Sequence, residues 1–355
     1  MTPADLSRTV LHAVRRAVDE DALRAPVPAR VRVERTRPGG RGDYACAVAL
    51  QLAGPAALPA REVAALLRDR VAGAPGIGRV EITGPGFLNF TLDASAGAEA
   101  RTARVREIQE RGLRYGRGTT EAGRLHRLHH PREVRAAVLA QSVARLLRTQ
   151  GGQVIVGCTE EPDPRWQDLR VRTGLRYRAE GSAEIRPVPA GTAAGALVDR
   201  LGRDAALWGL QRPAAHDHAP LGDDLLVQGE PNPLFLVRYA HARARALVRE
   251  GERLGLTGSY EQSADVPAPA LHAALADHPG VLATAARHHA PDRVARHLET
   301  VAGAFFDFHD TTPPLPVGDE KPSAAHRSRL ALAEAAGKVL AGGLFALGIS
   351  APPHL

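Results

Sequence analysis

The chain has 355 residues, 46 Lys and Arg against 39 Asp and Glu, and a net charge of +7, a length that allows two or three domains and a large buried core. Aromatic residues make up 4% while alanine, leucine and valine abound, which favours helix-rich packing of small side chains over an all-β sandwich. No apolar run approaches the ~20 residues a bilayer needs, the charged start MTPADLSRTVLHAVRRAVDE is unlike a secretion signal, and the isolated Cys46 and Cys158 suggest neither disulfide nor zinc, so a cytoplasmic protein with no membrane and no metal partner is expected.

Residues 4–20 repeat Leu6, Val10, Leu11, Val14 and Val18 at helical spacing, and VPARVRVER then alternates as a strand does. GDYACAVALQLA fits strand or helix by pattern, and Asp43 as an N-cap with the unbroken alanine and leucine content favours a helix. LPAREVAALLRDRVA predicts another, with Pro59 near its first turn and Val63, Leu66, Leu67 and Val71 as its apolar stripe. RVEIT and FLNFTL, parted by Gly84-Pro85-Gly86, predict a β-hairpin. A helix over residues 95–113 then runs into the linker RYGRGTTEAG.

REVRAAVLAQSVARLLRTQG predicts a helix ending at Gly151 and GQVIVG a short buried strand, which together make one β/α unit. PDPRW, GLRYRAEGSAEIRPVPAGTAAG and QRPAAHDHAPLGDD are rich in glycine, proline and charge, and suggest an open or truncated domain. From residue 229 the pattern is all-α. Pro291 falls at a helix start, with Val294, Leu298, Val301, Phe305 and Phe308 following as core. DTTPPLPVGDEKPSAA is a loop, and a last helix from Ala324 to Leu347 stops at Gly348.

Lys321 and Lys338 are the only lysines, so arginine carries nearly all the positive charge. GC-rich coding would give the same bias, but residues 101–150 hold twelve arginines against four glutamates, with His126, His129 and His130 among them. Such concentration makes an anionic partner, nucleic acid first, a serious candidate. The segment LFLVRYAHARARALVRE, residues 234–250, adds a cationic stripe to an otherwise apolar helix: Arg238, Arg245 and Arg249 fall within about 40° of one another, and His241 about 60° from Arg238. By itself that stripe is explained more often by a solvated or salt-bridged face than by a binding one.

Resemblance separates those readings. NPLFLVRYAHARARAL is similar to the arginyl-tRNA synthetase segment N-P-V-Y-Y-V-Q-Y-A-H-A-R, matching at Asn232, Pro233, Val237, Tyr239, Ala240, His241, Ala242 and Arg243. PDRVARHLETVAGAFFDFH and RLALAEAAGKVLAGGLFALGISAP resemble the anticodon-binding domain of that family. GDYACAVALQLA, LPAREVAALL and VEITGPGFLNFTL resemble its N-terminal additional domain, which grips the tRNA elbow. The likeness covers about two thirds of the chain, in order. It departs from the family at Cys46-Ala47, at His309 and at the terminal Pro353-His354-Leu355.

What the resemblance implies is an α/β plus all-α chain: an N-terminal α+β domain over 1–115, a reduced Rossmann-like catalytic remnant over 116–228, and an α-helical anticodon-binding bundle of DALR type over 229–355. The family's H-x-G-H motif aligns with His130-Pro131-Arg132-Glu133, so His130 stands as a vestige while the glycine and second histidine are replaced. No lysine precedes Lys321, so the family's lysine loop is missing too. Losing one transition-state donor typically costs about 10²–10³ in rate. The expected protein is therefore a non-catalytic tRNA-binding paralogue, without cofactor, whose implied partner is tRNA, arginine-accepting tRNA in particular. Two alternatives stand beside it: an active arginine–tRNA ligase using ATP, and a subunit that binds another protein. RNA-contact candidates are Asn89 and Phe90 in the hairpin, Arg238, His241, Arg245 and Arg249 on the stripe, and Arg293, Arg296 and His297 on the polar side of a bundle helix. Asn232 and Tyr239 mark the domain junction, where Tyr239 and His241 are expected in buried, hydrogen-bonded packing. RLHRLHHPREVR fits a basic linker and an RNA-backbone surface equally.

Overall fold

A computed structural model describes residues 3–36, 41–172, 181–264 and 266–355, which divide into two units, Met1–Ala103 and Arg104–Leu355. The first opens with α1 (Pro3–Asp19), whose Leu6, Val10, Val14 and Ala17 recur every three or four residues and are all buried. Strands β1 (Val33–Arg35) and β2 (Tyr44–Cys46), helices α2 (Val48–Ala56) and α3 (Ala60–Val71), and the hairpin β3 (Ile77–Thr83) and β4 (Phe87–Leu92) follow. The antiparallel sheet has the order β1-β2-β4-β3.

The stretch GDYACAVALQLA is thus a strand followed by a helix, not one helix. Tyr44 and Cys46 point inward on alternate positions and pair with Phe90 and Leu88 of β4, a partner more than forty residues away that local pattern cannot reveal. Asp43 is no cap: its carboxylate accepts from the Leu92 amide at 2.8 Å and ties β2 to the hairpin.

In the second unit, which α4 (Ala94–Arg111) enters across residue 103, β5 (Leu125–His130), α5 (Val134–Thr149) and β6 (Gln153–Cys158) form a parallel β-α-β unit. The two-residue β7 (Ala183–Glu184) pairs parallel on the other side of β5, giving the order β6-β5-β7. RLHRLHH is therefore the central strand and not a linker. Charge masks it, because Leu128 is buried while Arg127 at its side is exposed. Within the stretch that composition marks as open, α6 (Ala194–Gln211) forms, broken at Gly202 where φ is 72° and ψ 167°. Residues 173–180 of the Gly- and Pro-rich stretch lie outside the described residues.

Helices α7 (Pro233–Arg253), α8 (Pro269–Arg287), α9 (Asp292–Thr311) and α10 (Ala324–Leu347) complete the unit. Leu128 and Val138 of the β-α-β unit, Trp208 of α6, and Leu275, Phe305 and Leu340 of the bundle belong to one hydrophobic cluster. Helix α5 is surrounded, with thirteen of its sixteen residues buried. That is why its sequence is nearly all small and aliphatic. By length and composition α10 could cross a membrane, contrary to the sequence expectation, but 78% of its apolar stretch is buried within the protein. It ends as expected at Gly348, whose φ of 78° closes the last turn with bonds to the carbonyls of Leu344 and Phe345.

Candidate nucleic-acid interface

In an open α/β sheet, ligands bind beyond the carboxyl ends of the strands where strand order reverses. Here that point is the end of β5, between β6 and β7. His130 is buried there, tilted against Trp166 with ring centres 5.6 Å apart, and its Nδ1–H donates to the Pro131 carbonyl at 2.9 Å. Burial pushes its pKa down and keeps the ring neutral. His129 Nδ1 lies 2.9 Å from Ser182 Oγ.

Glu133 is the N-cap of α5. One carboxylate oxygen accepts from Ala136 N at 2.7 Å, and the other from Ala190 N at 2.9 Å. The positive end of the helix, which would attract a phosphate, is thus already neutralised by a side chain of the same chain.

Arg135, in the first turn of α5, holds the surrounding loops. Completely buried, its guanidinium donates to the carbonyls of Leu210, Val188, Asp217, Pro213 and Ala214 at 2.6–3.2 Å. These bonds, with the one from Ala190 N to Glu133, hold residues 188–190 and 213–217 against the start of α5. Sequence reasoning missed Arg135. Its neighbours in sequence are apolar and its partners are backbone atoms, which leave no residue signature.

The α7 stripe is only partly open. Arg245 is exposed, and Arg249 turns toward the C-terminal segment, with Nη1 donating to Pro353 O and Nη2 near His354 Nδ1, each at 3.3 Å. Arg238 lies 3.9 Å from Asp204, and its Nε is buried without a hydrogen-bond partner. His241 is buried as expected and donates from Nδ1 to the Gly337 carbonyl of α10 at 3.1 Å. Desolvation lowers its pKa, with Arg245 adding to the effect. It is a neutral core group, not an RNA contact.

Tyr239 differs from the expectation of burial: it is 43% exposed, stacked between Phe235 and Phe306 with centres 5.6 Å apart on each side. The three rings form an aromatic face spanning α7 and α9 of the kind on which unpaired bases stack. Phe235 and Phe306 were missed because neither can be paired with Tyr239 until the two helices are side by side. Asn232 caps α7, its Oδ1 accepting from Leu234 N and Phe235 N, and its Nδ2 donating to Leu225 O and Val227 O.

On α9, Arg293 is exposed and Arg296 is exposed but bonded to the Asp292 carboxylate. His297 is not on the polar side. It is buried, stacked 5.3 Å from His278 of α8, because position 297 falls beside Val294 and Leu298 on the face that meets α8. In the hairpin, Phe90 is wholly buried and Asn89 is buried with its amide donating to Thr83 Oγ1 at 2.5 Å. The aromatic that reaches solvent there is Phe87, 37% exposed. Leu88, Asn89 and Phe90 are all buried in β4, the strand paired on both sides by β2 and β3, while Phe87 stands at the rim beside the turn.

Among the described residues no group of three or more His, Cys, Asp or Glu is arranged to hold a metal.

Comparison with known proteins matches these parts to two family models: residues 5–92 to the arginyl tRNA synthetase N-terminal domain, and residues 237–355 to the DALR anticodon binding domain. The arginine–tRNA ligases of Frankia alni and Kineococcus radiotolerans are 28% and 26% identical, each alignment covering all of both chains. Those alignments run over 556 and 562 residues against the 355 here, so long stretches of the relatives have no counterpart. The solved Thermus thermophilus arginyl-tRNA synthetase superposes with a TM-score of 0.74 at 14% identity, and that of Plasmodium falciparum with 0.65 at 9%, both over all of each chain. One family's domain at each end and that family's fold throughout make this chain an arginyl-tRNA synthetase-related protein.

Proposed function

We propose that the chain binds tRNA, arginine-accepting tRNA first, without charging it, and that it does so in the cytoplasm. The observation that carries the reading is Glu133: a carboxylate caps the helix at the position where the family motif has its second histidine, with both oxygens engaged. A triphosphate approaching that helix end meets negative charge where a transition state needs donors. Support also comes from the segments that Arg135 holds against the helix start, and from the lack of any lysine before Lys321. In this reading 1–115 meets the elbow, 229–355 the anticodon arm, and 116–228 serves as a frame that no longer takes ATP.

The test is direct. Filter binding of the purified chain to total tRNA, followed by sequencing of what is retained, should recover arginine-accepting tRNA. ATP–pyrophosphate exchange with arginine should stay at background. Arginylation of tRNA by the purified chain refutes the non-catalytic reading, and failure to retain any tRNA refutes the binding one.

A further inference from the structure

At the far end of α5 from Glu133, about 20 Å along a sixteen-residue helix, a cleft of about 190 Å³ opens among α5, α8, α10 and the segment before β5. Three arginines line it: Arg117, Arg145 and Arg148. None has a carboxylate within ion-pair distance among the described residues. Two helices end here, and each C-terminus adds about half a negative charge. Arg145 answers that of α10, donating to the carbonyls of Ala346 and Leu347 at 3.1 and 3.0 Å, and it also donates to Ser142 Oγ at 2.8 Å. Arg148 donates to Val154 O from one nitrogen and is otherwise exposed, and Arg117 is exposed. With three cations against two half-charges, the cleft keeps an excess of roughly two positive charges.

Its walls are built closely. A side chain at Gly116, where φ is 82°, would come within 3.0 Å of Leu282 and His278; one at Gly348 would strike the Arg145 guanidinium. The floor holds His278, which is 1% exposed, packed between Tyr115 and His297, and has an Nδ1 without a hydrogen-bond partner. Buried groups left in that condition are uncommon and call for an explanation such as an ordered guest. The rim is apolar: Phe345 is 60% exposed and Leu113 52%.

A small cationic hollow beside an exposed aromatic suits a ligand that carries an anionic head and a flat apolar body. We infer that this cleft binds a nucleotide, its phosphate held by Arg117 and Arg148 and its base laid on Phe345, either as a free mononucleotide or as one unit of an RNA strand. The cleft is too small for a whole coenzyme. It shares no residue with the α7 stripe or with Glu133, so the inference does not rest on anticodon recognition or on lost catalysis.

Calorimetric titration of the full chain with adenosine and cytidine 5′-monophosphates, a single-stranded hexaribonucleotide and inorganic phosphate tests it. The Arg117→Ala/Arg148→Ala pair should weaken nucleotide binding at least tenfold. Phe345→Ala should weaken it by roughly tenfold while leaving the response to inorganic phosphate unchanged, since only the base loses a stacking partner. All three positions are exposed, so the melting temperature should hold, and Arg117→Lys/Arg148→Lys should recover part of the affinity. Mononucleotides binding as tightly as the hexamer identify the free-nucleotide source, and binding by the hexamer alone the RNA source. No nucleotide binding, undiminished binding in the arginine pair, or Phe345→Ala indistinguishable from wild type overturns the inference, and retention of tRNA by the same variants keeps that outcome separate from the tRNA reading.

Discussion

His278 and His297 show what a single residue contributes once the helices are assembled. Burial pushes their pKa values down to about 3 and about 4, with His297 adding to the effect on His278. In the unfolded chain both titrate near 6.5, so between those values the unfolded state binds more protons and stability rises with pH. The contribution is complete above about pH 6.5 and is lost progressively as pH falls toward 4. Urea midpoints at pH 7.5 and pH 5 should therefore differ by an amount equivalent to roughly 2 kcal/mol for each ring. His297→Phe should reduce the difference. Arg135 is the other residue of this kind. Arg135→Ala would strand four carbonyls, since that of Ala214 keeps the Asp217 amide, and is expected to cost about 3–5 kcal/mol, and Arg135→Lys to recover only a fraction, because an ammonium has three donors and no planar fork. The denaturation midpoint checks both. Neither role was legible in the sequence, where His297 and His278 lie nineteen positions apart and Arg135 is one of twelve arginines between residues 101 and 150.

Elements differ in how openly they declare themselves. α1, α3, α7, α9 and α10 carry their apolar positions at helical spacing, and Pro59, Pro291 and Gly348 stand at the boundaries expected for α3, α9 and α10, since a helix closes its hydrogen bonds within itself. β2, β5 and β7 are short, and their bonds go to partners remote in sequence, so six charged or mixed letters such as LHRLHH give no period to follow. Helix caps lie between these extremes. Asn232 could be placed at the head of α7 by the Pro233 that follows it, and Asn232→Ala should cost about 1–2 kcal/mol by removing the cap and freeing two carbonyls. Thermal melting of the variant against wild type measures it, and Asn232→Asp, which keeps only the capping oxygen, should fall between the two.

Across the whole molecule, charge is less concentrated at any proposed interface than arginine counts suggest, because many arginines are paired or buried. Of the stripe, Arg245 is exposed and Arg249 meets the C-terminal segment; on α9, Arg293 is exposed while Arg296 is bonded to Asp292. If tRNA lies along this face, Arg245→Ala/Arg293→Ala should flatten the dependence of log affinity on log salt by about 1.5. An unchanged slope in filter binding would remove both as phosphate contacts. The aromatic face of Phe235, Tyr239 and Phe306 belongs to the same test: Tyr239→Ala should weaken tRNA binding by about 1–3 kcal/mol while leaving the salt slope alone.

By itself the sequence determined the family, the helical C-terminal half and the hairpin of the first unit, because helices and tight turns are encoded by residues close along the chain. It also determined that position 133 is a glutamate. Only the tertiary structure decided what that glutamate does, that Phe90 and His297 face inward while Phe87 and Tyr239 face water, and which arginines keep their charge available. Those outcomes depend on which surfaces meet, and a side chain's exposure and partners are properties of the assembled neighbours, not of its place in the chain.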